Sequence, residues 1–359
     1  MKYSKVNPLF WQGKKVFLTG HTGFKGGWLS LWLSSMGAEV TGYSLAPNTE
    51  PNLFTVLNME SLIRTSHIGD VRDFENVQRA MQQAGPDILI HMAAQPLVRY
   101  SYDHPVETYA TNVMGTVHVL EAARKIESIR ATVVVTTDKC YENKEWVWGY
   151  RENEAMGGHD PYSSSKGCTE LVTSAYRKSF FSSKNSQNSV ASARAGNVIG
   201  GGDWSLDRLI PDAIRAFEAI QPLRIRNPLA TRPWQHVLEP LSGYLILAQS
   251  LYGEDGHQFT SGWNFGPSES DNRSVRELAD LLISEWGASA SWQKEGSEQP
   301  HEAHLLKLDC SKAIQQLNWI PRWNLETATK KIVQWQKSYQ AKENMREVSL
   351  AQINQYTST

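Results

Sequence analysis

A chain of 359 residues with 40% hydrophobic content holds enough apolar material for one large or two modest domains around a substantial core. Its formal net charge of -1 gives no overall attraction to nucleic acid or to an anionic membrane, so any anion site must be built locally. Cys140, Cys168 and Cys310 make neither a Cys-x-x-Cys pair nor an even disulfide framework, which points to a reducing, cytoplasmic setting. No signal-like segment opens the chain, and no run approaches the roughly 18 apolar residues of a membrane span.

Five apolar runs, "KVFLTG", "AEVTGY", "SHIGD", "PDILIHMAA" and "RATVVVTT", predict strands. The stretches between them have helical apolar spacing, strongest over 23–36, 73–84 and 104–125. A sixth unit adds a helix over 162–181 and the strand-like "SVASARAGNVIG". Strands alternating with helices predict an α/β fold, a Rossmann-type doubly wound parallel sheet covered on both faces. Beyond "GNVIGGGDW" the elements shorten: a helix over 208–218, a strand near Leu223, and helices in "LEPLSGYLILAQSLY", over 275–286 and in "LETATKKIVQWQKSYQ". The expected organisation is a nucleotide-binding domain over 1–200 and a smaller, mostly helical substrate domain over 201–345. The strand near 232–240 could return to the first domain, and 346–359 reads as a loosely held tail. Residues 184–188 read as a polar loop. Of thirteen tryptophans, Trp146, Trp148, Trp204 and Trp234 fall in Gly/Pro-rich loops, where they either pack the loops down or wall a pocket.

"TGHTGFKGG" sets Gly20, Gly23 and Gly26 between the first strand and the first helix. Glycines there permit a tight turn and close backbone approach, and the helix N-terminus offers free N–H groups to a pyrophosphate. The second strand ends at Ser44, where an acid would have favoured NAD over NADP. Lys25 could meet a 2′-phosphate or be a solvated helix-start lysine. Asp70 could accept from an adenine amino group or stand on the N-cap side of the next helix. The small Ala93 and Ala94 would let a cofactor lie against the end of the fourth strand.

Tyr162 and Lys166, at i and i+4 in "YSSSK", share one helix face. A phenol of pKa about 10 becomes a usable base at neutral pH only beside a cation. One unit earlier, "TTDK" places Asp138 and Lys139 where a strand should stop, as an acid and a cation at the mouth of the cleft or as a solvated turn.

Together, "TGHTGFKG", "HMAAQPLVR", "TTDK", "YSSSK", "RAGNVIGGGDW" and "IRNPLATRPWQHVLEPLSGY" resemble the nucleotide-sugar dehydratase group of extended short-chain dehydrogenases/reductases, from about Trp11 to Trp335. The resemblance implies a retained NAD and conversion of CDP-glucose to CDP-4-dehydro-6-deoxy-D-glucose and water, as a supply for bacterial O-antigen lipopolysaccharide. It implies that Tyr162 takes the 4-OH proton, that Thr137 bonds the same oxygen and that Asp138 protonates the leaving 6-OH. Lys139 stands where thymidine-linked relatives carry a Glu base, so it is either a base of depressed pKa or an enolate-stabilising cation. Cofactor contacts are implied for Thr22, Phe24, Lys25, Ser44, Asp70 and Val71, besides the glycines, Ala93, Ala94, Tyr162 and Lys166. Asn197 matches a diphosphate contact, Arg232 offers a planar fork to phosphate, and Arg99, Arg208, Arg226 and His301 are further substrate candidates. His301 and His304 have the spacing of metal ligands, but with no third ligand nearby no metal site is read. The helices over 112–125 and 162–181 carry the small and apolar residues of a homodimer or homotetramer contact. A 4-epimerase or reductase of the same fold would need no Asp138–Lys139 pair, and an NAD sensor would need no poised tyrosine.

Overall fold

The computed structural model describes residues 5–182, 187–287, 289–296 and 305–359. Its centre is a seven-stranded, all-parallel sheet: β1 (Lys15–Thr19), β2 (Glu39–Ser44), β3 (Thr65–Ile68), β4 (Ile88–His91), β5 (Ala131–Val135), β6 (Ser189–Ala195) and β7 (Gly262–Phe265). The order across the sheet is β7-β6-β5-β4-β1-β2-β3, so the winding reverses between β1 and β4. In such a sheet a crevice opens outside the carboxyl ends of the strands at that switch point. β1, β4 and β5 read as continuous apolar runs because both their faces are covered.

The helix that follows β1, α1 (Phe24–Ser35), has Gly23 at its N-cap and no side-chain cap. The predicted helix over 104–125 runs unbroken from 105 to 123 but carries a π-turn. A short helix Pro105–Tyr109 runs through a π-turn, Ala110–Met114, into α2 (Gly115–Ala123). α3 (Pro161–Tyr176) begins sharply because Asp160 accepts from the Ser163 N–H at 2.9 Å and Pro161 occupies the first helical turn.

The later chain does not stand apart from the sheet. β7 joins β6 in parallel register, and α4 (Leu238–Tyr252), apolar nearly all round, is buried against β5 and β6. Gln235–His236 pairs with Val198–Ile199 as a separate two-stranded ladder, so the strand near 232–240 returns to the 1–200 part of the chain without entering the main sheet. A second apolar cluster is formed by the 209–218 helix, Val275–Trp286 and α5 (Leu325–Gln340), and its Ile210, Ile225 and Trp234 line the cleft.

The expected tail is instead a helix, α6 (Met345–Ser358), whose Met345, Ile353 and Tyr356 enter the main core. Tyr356 meets Trp32 of α1 edge-on and donates to Glu239 of α4 at 2.8 Å. A helix that buries three such side chains against two others is part of the fold. Of the loop expected over 184–188, 184–186 lie outside the described residues.

Candidate active site

A cleft of about 1320 Å³ runs along the carboxyl edge of the sheet, walled by the ends of β1 to β6 on one side and by residues 203–234 on the other. Thr19 closes β1 onto β4: its Oγ1 accepts the N–H groups of Met92 and Ala93 at 3.0 Å each. Gly20 turns with φ 81°, and a Cβ there would lie 2.9 Å from the Ala93 nitrogen. A Cβ on Gly26 would come within 2.0 Å of the Gly20 carbonyl oxygen, so the loop and the first turn of α1 touch backbone to backbone. Since no side chain caps α1, its first N–H groups open onto the cleft beside Thr22, Gly23 and Phe24.

At the β2 end Ser44 shares a 2.9 Å hydrogen bond with Thr22, which also donates to the Leu45 carbonyl. Asp70 and Val71 line the same end with Ala93 and Ala94. Asp70 is not a helix cap, because Asp73 takes that role. The Asp70 carboxylate instead accepts from Arg72 at 2.8 Å, and against burial those bonds hold its pKa low.

Lys25 departs from both expectations. Its side chain turns toward the far end of the cleft and donates to Tyr244 Oη at 2.9 Å. Burial, with the charges of Lys166 and Arg208, lowers its pKa to about 7, Asp138 acting the other way.

The reactive residues converge after β5. Asp138 is wholly buried, which excludes a solvated turn; its Oδ1 accepts from Thr137 Oγ1 at 2.9 Å and its Oδ2 has no partner. Lys139 Nζ lies 3.8 Å from Asp138 Oδ1. Tyr162 and Lys166 of α3 face the same end, both buried. Burial pushes Tyr162 up to about 12, Asp138 adds to the rise, and a hydrogen bond with Thr137 and the charge of Arg208 oppose it. The charge of Arg208, which was expected only to help with phosphate, thus also acts on the phenol, and Arg208 donates to Asp203 at 2.9 Å. Burial lowers Lys166 to about 8, and its Nζ donates to the Val135 carbonyl at 3.4 Å.

On the opposite wall Asn197, Arg226 and buried Arg232 line the cleft, with the Asn197 Oδ1 buried and unpartnered. Arg99 reaches across from the sheet side to Asp207 at 3.2 Å. His301 and His304 lie outside the described residues. Trp204 and Trp234 line the cleft, Trp146 stacks on Tyr150, and Trp148 is exposed.

Two supports were not legible beforehand. Glu170, one turn after Lys166, accepts from Thr136, from Ser192 at 2.6 Å and from buried Arg194 at 2.8 Å, locking α3 to the ends of β5 and β6. Asn112, inside the π-turn, donates to Ser165 Oγ at 2.8 Å and accepts from the Gln95 N–H at 2.8 Å, fixing α3 to the loop after β4. The only sequence signal was Glu170 at i+4 from Lys166.

A Rossmann sheet that presents a Tyr-x-x-x-Lys pair at its carboxyl edge defines an extended short-chain dehydrogenase/reductase. Within that class the chain belongs to the GDP-mannose 4,6 dehydratase family, whose model it matches over residues 17–332. It is 57% identical over 356 residues to the CDP-glucose 4,6-dehydratase of Salmonella typhimurium, covering 98% of this chain and 99% of that relative. The fold superposes on dTDP-glucose 4,6-dehydratase of Bacillus anthracis in complex with NAD, with a TM-score of 0.75 at 20% identity, over 92% of this chain and 99% of that one. It superposes as well on UDP-glucose 4-epimerase of Thermotoga maritima, with a TM-score of 0.78 at 19% identity over 90% and 99% of the two chains. Fold alone thus does not separate dehydration from epimerisation.

Proposed function

We propose that this chain is an NAD-dependent hydro-lyase converting CDP-D-glucose to CDP-4-dehydro-6-deoxy-D-glucose and water. The observation that carries the reading is the buried Asp138 with Lys139 at 3.8 Å, in the same wall of the cleft as Tyr162. Elimination across C5 and C6 needs an acid and a proton acceptor beside the sugar, whereas epimerisation or reduction at C4 needs neither. The 57% identity to a CDP-glucose 4,6-dehydratase supports the substrate.

NAD suits the cleft: the uncapped start of α1 faces it, and glycines at 20 and 26 keep the loop backbone where side chains would block it. When bound, NAD supplies a reversible hydride acceptor that takes the C4 hydride and returns it at C6. The protein handles the protons. Tyr162 removes the 4-OH proton, with Thr137 bonded to the same oxygen and Arg208 and Lys166 favouring the phenolate. The C4 ketone acidifies C5–H. Lys139 takes that proton while Asp138 protonates the departing 6-OH, which leaves as water. Lys139 gives its proton back to C5 as C6 is reduced, and the proton taken by Tyr162 passes through solvent to Asp138, restoring all three groups. Asn197, Arg226 and Arg232 hold the nucleotide diphosphate, with Arg99 and Arg208 nearer the sugar; His301 belongs to the same substrate set.

We place this activity in the cytoplasm, in the supply of dideoxyhexoses for O-antigen lipopolysaccharide, and in a homodimer or homotetramer. Exposed Met114, Leu171 and Phe180, on or adjoining α2 and α3, support the assembly. The test is an incubation of CDP-glucose deuterated at C4, in ordinary water and without added reductant. Deuterium at C6 of a 4-keto product is the expected result, and label retained at C4 or lost to free reduced cofactor overturns the reading.

A further inference from the structure

A side chamber of about 350 Å³ opens beside the main cleft, walled by Arg99, Asp207, Asp212, Arg215, Leu223 and Arg224 among others. Neither the reactive residues Thr137, Asp138 and Tyr162 nor Ser44 and Asp70 of the β2 end line it. It does share Arg226 with the main cleft, a residue assigned above to the diphosphate. A nucleotide sugar whose C4 meets Tyr162 and whose diphosphate lies at Asn197, Arg226 and Arg232 extends its base toward this chamber.

Three carboxylates face the chamber. Asp207 is paired with Arg99 at 3.2 Å, and Glu295 does not line the main cleft. Asp212 lines both cavities. It stands in the first turn of the helix Leu209–Glu218, where an acid suits the helix dipole. Arg215, one turn on, holds its Oδ1 and also donates to the Trp204 carbonyl at 3.2 Å, so the carboxylate is fixed from behind. Its Oδ2 has no hydrogen-bond partner among the described residues. Burial raises the Asp212 pKa, while Arg215 and Arg226 act the other way.

Arg224 and Arg226 line the same two cavities, so a fixed hydrogen-bond acceptor stands beside donors. The pairing edge of cytosine is the complement of that arrangement: its exocyclic amine donates, and N3 and O2 accept. Uracil and thymine carry the acceptor O4 in place of the amine and a donor at N3. A carboxylate bonds the amine and is left facing a second acceptor by O4. We propose that Asp212 is the specificity-determining residue for the nucleotide base, its Oδ2 accepting from the exocyclic amine of cytosine while Arg224 donates to the acceptor edge of the ring. The inference rests on the reading of this chain as acting on CDP-glucose.

The test is titration of the full chain with nucleoside diphosphates. Wild type should bind CDP at least about 30-fold more tightly than UDP. Asp212→Asn should lower the CDP-to-UDP affinity ratio about tenfold, because a carboxamide can turn its oxygen to the cytosine amine or its nitrogen to the uracil O4. Removing a carboxylate favours any diphosphate, so the ratio is read and not either affinity alone. An unchanged ratio overturns the inference. If Asp212→Asn does not fold, wild type decides: the diphosphate of 2-pyrimidinone riboside, which is cytidine without its amine, should bind about tenfold more weakly than CDP, and equal affinity overturns the proposal. Wild type that does not distinguish CDP from UDP would sink the CDP-glucose reading itself, whereas a preference for CDP that survives in Asp212→Asn sinks only the role of Asp212.

Discussion

Lys139 Nζ stands 3.8 Å from Oδ1 of Asp138, and the carboxylate it faces is wholly buried at the end of β5. If this pair carries the elimination and not the oxidation, the two half-reactions separate on mutation. Asp138→Asn should lower kcat by about 10²- to 10³-fold while C4 oxidation still proceeds, so that reduced cofactor builds up on the protein and is visible by its near-ultraviolet absorbance. Lys139→Met should in addition abolish exchange of the C5 proton with deuterated solvent. Retained exchange in Lys139→Met would assign the base elsewhere.

Lys166 links catalysis to stability. Its folded-state pKa of about 8 lies below the ordinary 10.5, so the unfolded chain binds more protons between these values and stability rises with pH across that window. Below pH 8 the ligand-free protein bears the whole penalty of a buried ammonium. Lys166→Met should therefore raise the melting temperature of the ligand-free chain at pH 7 by about 2–4 °C and remove activity, the thermal gain fading above pH 10.5. Calorimetry at pH 7 and pH 10.5 checks both arms.

Gly26→Ala places a methyl carbon 2.0 Å from the Gly20 carbonyl oxygen, a contact that only backbone movement can relieve. The loop that moves is the one proposed to cradle the cofactor phosphates. NAD affinity should fall at least about 100-fold, a loss of about 2.7 kcal/mol, with a smaller change in unfolding midpoint. Isothermal titration beside a denaturation curve separates the two.

Tyr356 ties α6 to the core. It donates to Glu239 Oε2 at 2.8 Å, while the same carboxylate accepts the Arg322 N–H and, at 2.7 Å, the Trp323 N–H. Tyr356→Phe should cost about 1–2 kcal/mol, and removal of 345–359 should lower the melting temperature far more than trimming a loose end. Burial raises the Glu239 pKa from 4.5 to about 7 against these hydrogen bonds, so its contribution is fully present below pH 4.5 and is lost as pH rises through 7. The sign is opposite to that of Lys166, and Glu239→Gln should flatten the acid side of the stability profile.

Strand positions, the glycine loop and the Tyr162–Lys166 spacing were legible because each depends on local pattern: apolar runs for covered strands, glycine where backbones touch, and i to i+4 on one helix face. The π-turn around Asn112 was not, since the 104–125 stretch has a continuous helical pattern and the widened turn is where Asn112 bonds to Gln95 and Ser165. The entry of β7 into the main sheet and the burial of α6 escaped for the same reason. Each is decided by a partner far away in the chain.

By itself, then, the sequence determined the doubly wound sheet, the edge on which the cleft opens and the residue types that gather there. Those features follow from periodicity and from the steric needs of single residues. Only the tertiary structure decided that Asp138 is buried beside Lys139, that the charge of Arg208 reaches Tyr162, and that Lys25 turns to Tyr244. A charge acquires its state from the dielectric and the neighbours around it, and both are assembled by contacts between residues far apart in the chain.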